Sequence, residues 1–121
     1  MSQPALVQHS LLQRQGGAAR VADDLCQGLA DLGRDCRRTF ELAEGARQPT
    51  GHVQLLAHVQ GGALPHLHAS ADWAALLTAL AAPDLAAQGR AVLTLHDCRL
   101  FTGGCPFPLD CAHLYGGCQE P

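Results

Sequence analysis

Ala91–Pro121 reads AVLTLHDCRLFTGGCPFPLDCAHLYGGCQEP, and its first half decides the fold. Ala91-Val-Leu-Thr-Leu95 is a short continuous apolar run after Gly89-Arg90, the pattern of a strand buried on both faces of a parallel sheet. It stops at His96-Asp97, two ionisable residues at the carboxyl end of the strand, where open α/β sheets place their ligand crevices. Gly103-Gly104 and four cysteines follow, Cys98, Cys105, Cys111 and Cys118, in a segment too rich in glycine and proline for a helix. The expectation is a scaffold strand ending in chemistry, then an irregular Cys-rich loop.

The rest of the chain supplies the partners of that strand. Pro4–His9 reads as a first strand and Ser10–Gly17 as a connection ending in Gly16-Gly17. Ala18–Leu32 reads as a helix with Val21, Leu25, Leu29 and Leu32 on one face and Gly33 as its terminal cap. Cys36–Leu42 is a second strand, its partial alternation suited to a position nearer the sheet edge. His52–Val59 is ambiguous, and the alternation of Val53, Leu55, Ala57 and Val59 favours a strand. Ala63–His68 is another short strand. Ser70 then serves as N-cap for a helix over Ala71–Ala82, where Trp73, Leu76, Leu77 and Leu80 recur at helical spacing until Pro83. Strands alternating with helices imply one α/β domain built on a parallel sheet.

Composition narrows the function classes. A net charge of −3 lacks the clustered basic face that nucleic acid requires. All eight basic residues are Arg, which we attribute to compositional bias rather than to a phosphate-reading surface. No apolar run approaches the roughly 20 residues of a membrane span, and the N-terminus has neither a basic leader nor a long apolar stretch. The expected compartment is therefore the reducing cytoplasm, where the cysteines are thiols or metal ligands rather than disulfides.

Four groups are candidates for chemistry. Gly16-Gly17 at a helix start admits an anion to the free N–H groups there, or is simply a tight turn; the full dinucleotide-binding glycine spacing is missing. His66, His68 and His96 can bond a ligand or act as acid or base, or else cap backbone groups at the sheet edge. Asp97 can orient an imidazole, hold a sugar hydroxyl or cap the loop. The cysteines are spaced C-x6-C-x5-C-x6-C, without the C-x2–4-C knuckle of structural zinc sites, which leaves zinc and free thiols both open. His113 is a further nitrogen ligand for such a zinc. Cys26 and Cys36 read as buried small hydrophobes.

Gln15-Gly-Gly-Ala-Ala-Arg-Val-Ala22, the L-x3-L-x2-L-G run of the first helix and Leu93-Thr-Leu-His-Asp-Cys-Arg-Leu-Phe-Thr-Gly-Gly-Cys105 together resemble the N-terminal domain of bacterial GT-B glycosyltransferases. The family-4-like group that builds surface polysaccharides is the nearest type. The resemblance implies a Rossmann-like half of a two-domain retaining transferase, acting on a nucleotide-sugar donor and a glycan or lipid-linked acceptor. It places His96 and Asp97 at the reacting sugar. Gly16, Gly17, His68, Gly103 and Gly104 fall in donor or acceptor binding. It implies no cofactor for transfer, so a zinc on Cys98, Cys105, Cys111 and Cys118 would be structural. It also implies a donor-binding C-terminal domain beyond these residues, so the chain is expected to be a fragment, a truncated product or half of a split enzyme. The expected location is the cytoplasm or the inner face of the membrane. Arg99 departs from the pattern, which has an aromatic residue nearby. The competing reading is a non-catalytic scaffold module with zinc in its Cys-rich loop.

Overall fold

The polar run Gln8-His9-Ser10 sits inside an otherwise apolar strand, Leu6–Leu12 (β1), and β1 is central to the sheet. The structure, a computed structural model, describes residues 3–86, 90–97 and 100. After β1 come α1 (Gly16–Asp31), β2 (Cys36–Leu42), α2 (Val53–Gln60), β3 (Leu64–Leu67), α3 (Trp73–Leu80), α4 (Pro83–Ala86) and β4 (Val92–Leu93). The described strands form one parallel sheet in the order β2-β1-β3-β4. The chain is thus α/β, a parallel sheet with flanking helices. It leaves β1 to one side through β2 and to the other through β3, so the order reverses between β1 and β3, the place where such sheets open a crevice at their carboxyl ends.

Strand alternation sorts the residues onto two faces. Leu6, Gln8 and Ser10 share one side with their partners Cys36 and Arg38, and α1 packs there. Asp23 of α1 accepts from Arg38 Nε at 2.6 Å, and a thiol hydrogen bond joins Cys26 to Cys36. Val7 and Leu67 lie on the opposite side, in the apolar core with Leu55 and Val59 of α2, Leu76 of α3 and Leu85 of α4. Leu56, Trp73, Leu77 and Leu80 close over that cluster. Burying each such side chain contributes about 1.5–3 kcal/mol, so this side carries most of the hydrophobic stabilisation.

The second strand occupies Cys36–Leu42 at the sheet edge, as its alternation suggests. Gly33 adopts a φ of +82°, and the N–H groups of Gly33 and Arg34 donate to the carbonyls of Ala30 and Leu29, which ends α1 as a glycine cap should. The strand Ala63–His68 and the helix Ala71–Ala82 are present with shorter bounds.

Several expectations need correction. His52–Val59 is not a strand but α2. Its core contacts are Leu55 and Val59, one helical turn apart, while Val53 is exposed. Joining β2 to a parallel β3 requires a crossover, and a helix supplies it. β1 runs on through Ser10, Leu11 and Leu12, which the sequence pattern gives to the connection, and α1 begins at Gly16 rather than Ala18. The sheet-facing stripe of α1 is buried Ala19 and Ala22 with half-buried Cys26 and Leu29; Val21, Leu25 and Leu32 are turned away and exposed. Small alanines win because the helix must approach a sheet face crowded by Arg38. The cap of α3 is Asp72, whose carboxylate accepts from Ala75 N–H, whereas Ser70 is buried and its hydroxyl accepts from Asp72 N–H. Finally, β4 is not buried on both faces. It has one described neighbour, β3, and Val92, Leu93 and Leu95 are exposed. Cys26 and Cys36 are half-buried rather than buried. Among the described residues no helix is long and apolar enough to cross a membrane.

Candidate functional site at the carboxyl end of the sheet

His66 of β3 and His68, the residue just after it, lie on the α1 side of the sheet, two residues apart and therefore on one face. Their rings meet in a tilted contact, centroids 4.1 Å apart and planes at 36°. Thr94, just after β4, is anchored by its N–H to the Leu67 carbonyl, and its hydroxyl lies 2.7 Å from His66 Nε2. Two residues further on, His96 Nε2 lies 3.0 Å from His68 Nδ1. The other nitrogen of His68, Nε2, is 2.7 Å from Gln8 Oε1. Gln8 and His68 are both buried, and the chain of bonds leads from the centre of the sheet out to exposed His96.

Burial disfavours the charged form of both inner rings. For His68, burial and then the neighbouring His66 and His96 push the pKa down to about 4. His66 is lowered as well, by burial first and by His96 second. At neutral pH the two rings carry no charge, and each accepts or donates according to its tautomer.

Arg38 holds this face together. Its guanidinium donates to Asp23, to the carbonyls of Gln8, Thr39 and Gln13, and to Ser10 Oγ, at 2.6–3.1 Å. All five donors are committed, so Arg38 is a strut between α1, β1 and β2 and not a free anion receptor.

The opposite face carries a separate, closed network. His9 Nε2 is 2.8 Å from Glu41 Oε2, and His9 Nδ1 is 2.7 Å from the Thr39 hydroxyl. Glu41 Oε1 accepts from Ala71 N–H at 3.0 Å, tying β2 to the start of α3. Burial raises the Glu41 pKa, but the hydrogen bonds from His9, Ala71 and Ser70 outweigh it and bring the carboxyl below the usual range.

Gly16, Gly17, His96 and Asp97 all line one open cavity of about 390 Å³, together with Leu11, Gln15 and Ala69. The loops after β1, β3 and β4 converge there. Gly16 takes a φ of +86°, a conformation that disfavours any side chain, and a Cβ on Gly17 would project into open space. Gln15 at the N-cap makes no side-chain hydrogen bond to the α1 amides. The first turn therefore offers N–H groups beside the cavity with a helix dipole behind them. His68 reaches this cavity only through His96.

The cysteines proposed for zinc (Cys98, Cys105, Cys111, Cys118), Gly103, Gly104 and His113 lie outside the described residues. Among the described residues no group of three or more His, Cys, Asp or Glu side chains is placed to hold a metal ion. Sequence reasoning missed Gln8, Thr94 and the whole His9–Glu41 network. A signal was present in Gln8-His9-Ser10, because polar side chains in a central strand must find partners. Comparison with protein-family models, with curated proteins and with solved structures gives no match.

Proposed function

We propose that this chain is a sugar-binding, Rossmann-like domain acting as the acceptor-side half of a GT-B glycosyltransferase. The observation that carries the reading is the convergence of Gly16, Gly17, His96 and Asp97 on one cavity at the carboxyl end of the sheet. Each wall suits a different part of the reaction. The uncapped start of α1 favours the phosphates of a nucleotide-sugar donor, because its N–H groups and dipole attract negative charge. His96 and Asp97 favour the hydroxyls of the sugar at the reacting end. A donor-binding domain, in the same protein or in a partner chain, completes the cleft. Such an enzyme works in the cytoplasm, or at the inner face of the membrane when its acceptor is lipid-linked. Transfer draws on no metal in this reading.

Calorimetric titration with a panel of nucleotide-sugars and oligosaccharides tests the proposal. The expected result is measurable binding of at least one of them, weakened about tenfold or more in His96→Ala by loss of a hydrogen bond to the ligand. No binding of any member of the panel, or unchanged binding by His96→Ala, would overturn it.

A further inference from the structure

We propose that Gln8 and His68 are positioning residues that hold His96 in a single tautomer, its Nε2–H directed inward and its Nδ1 lone pair left for a hydroxyl of the ligand. The inference rests on the sugar-binding reading of the cavity and specifies which group of the ligand His96 takes.

The assignment follows from what each atom can do. Gln8 Oε1 only accepts, so His68 Nε2, at 2.7 Å, is the donor. A neutral imidazole has a single N–H, so His68 Nδ1 carries a lone pair. His96 Nε2, at 3.0 Å, must then donate to it. His96 is left with its lone pair on Nδ1. The assignment requires both rings to be neutral; burial and the neighbouring histidines keep His68 so down to about pH 4. The tilted ring of His66, itself bonded to Thr94, packs against His68 from the side. Both nitrogens of His68 are consumed in the relay, which leaves it none for a metal ion.

This polarity selects a ligand group. A lone pair attracts a hydroxyl hydrogen and repels an oxyanion, so a sugar or polyol hydroxyl is favoured at His96 and a phosphate is not. The N–H groups at Gly16-Gly17 have the opposite preference. The cavity is thus divided into an accepting wall and a donating wall, which orients a sugar phosphate in one sense only.

The relay can be read in the ligand-free protein by NMR, as the 15N–15N coupling across the hydrogen bond between His68 Nδ1 and His96 Nε2. The expected result is a coupled pair with the proton on His96 Nε2. A proton on His68 Nδ1, or no coupling, would overturn the relay and leave the sugar-binding proposal standing. Methyl α-glucoside and inorganic phosphate are then titrated while the His96 ring signals are followed. Methyl α-glucoside is expected to shift them, and phosphate is not. Gln8→Met, which removes the acceptor at similar volume, should weaken methyl α-glucoside binding about threefold to tenfold. Its phosphate response should stay the same. Equal binding of the glucoside by wild type and Gln8→Met would overturn the positioning role. An intact coupling with no glucoside response at His96 would overturn the ligand half of the inference, while the nucleotide-sugar panel decides the sugar-binding reading separately. The wild-type coupling decides the relay even if Gln8→Met does not fold.

Discussion

On the α2–α4 side of the sheet, Val7 and Leu67 are fully buried against Leu55 and Leu76. On the α1 side, the strands and the residue after β3 hold Gln8, Ser10, Arg38, His66 and His68. The first face carries the apolar cluster together with His9, Thr39 and Glu41; the second sets those polar side chains among Leu6, Cys36, Phe40 and Leu64. Both contain buried hydrogen-bond networks, and the two end differently. The His9 network runs through Thr39, Glu41 and Ala71 and closes on protein atoms. The Gln8–His68 network runs outward and stops at His96, on the wall of a cavity. A buried network that closes on itself rigidifies; one that ends at a cavity leaves a polar atom prepared for something else.

If that contrast is correct, the largest loss of stability comes from the closed network. His9→Ala leaves a buried carboxylate without its partner and is expected to cost about 3–5 kcal/mol in urea unfolding. Leu67→Ala, on the same face, should cost about 2–5 kcal/mol by opening a cavity in the apolar cluster. Loss of less than about 1 kcal/mol in both would show that this face is not the one that holds the fold.

The open network is expected to show in the pH dependence. The folded pKa of His68, about 4, lies below its ordinary value of 6.5. The unfolded chain therefore binds a proton that the folded chain refuses, and stability falls as pH drops from 6.5 towards 4. His68→Gln should flatten that part of the curve. Glu41, also lowered, contributes stability present above about pH 4.3 and lost below it, so the steeper acid limb should survive in His68→Gln. An unchanged slope between pH 6.5 and 4 in His68→Gln would mean that His68 is not held neutral by the fold.

The smallest effect is expected on the outer surface of α1. Leu32 is 80% exposed, and Leu32→Ser should change stability by no more than about 0.5 kcal/mol. A loss above about 1 kcal/mol would place Leu32 in the packing of α1 after all.

Much of this arrangement is legible in the amino-acid sequence. The alternation in Cys36–Leu42 and the glycine at position 33 are local signals, and local signals are sufficient for an edge strand and a helix cap. His96-Asp97 and Gly16-Gly17 are recognisable as strand-end and helix-start residues, and they meet at one cavity. What escapes such a reading is whatever depends on neighbours. Val53–Gln60 alternates like a strand, yet the crossover between parallel strands requires a helix there. The larger apolar residues of α1 suggest its buried face, but the closeness of the sheet selects Ala19 and Ala22 instead. The exposure of β4 depends on what flanks it and not on its own apolar run. The bond between Gln8 and His68 spans sixty positions, beyond any periodicity.

The α1 side of the sheet is proposed to deliver a ligand site where the loops after β1, β3 and β4 meet. Amide chemical-shift mapping on the 15N-labelled chain, during titration with a nucleotide-sugar that binds, tests it most directly. The account predicts that the largest shifts fall at Gln15, Gly16, Gly17, Ala69, His96 and Asp97, with Leu55, Leu76 and the other α2–α4 core residues unmoved. Shifts centred on the α2–α4 side, or spread evenly over the chain, would contradict it.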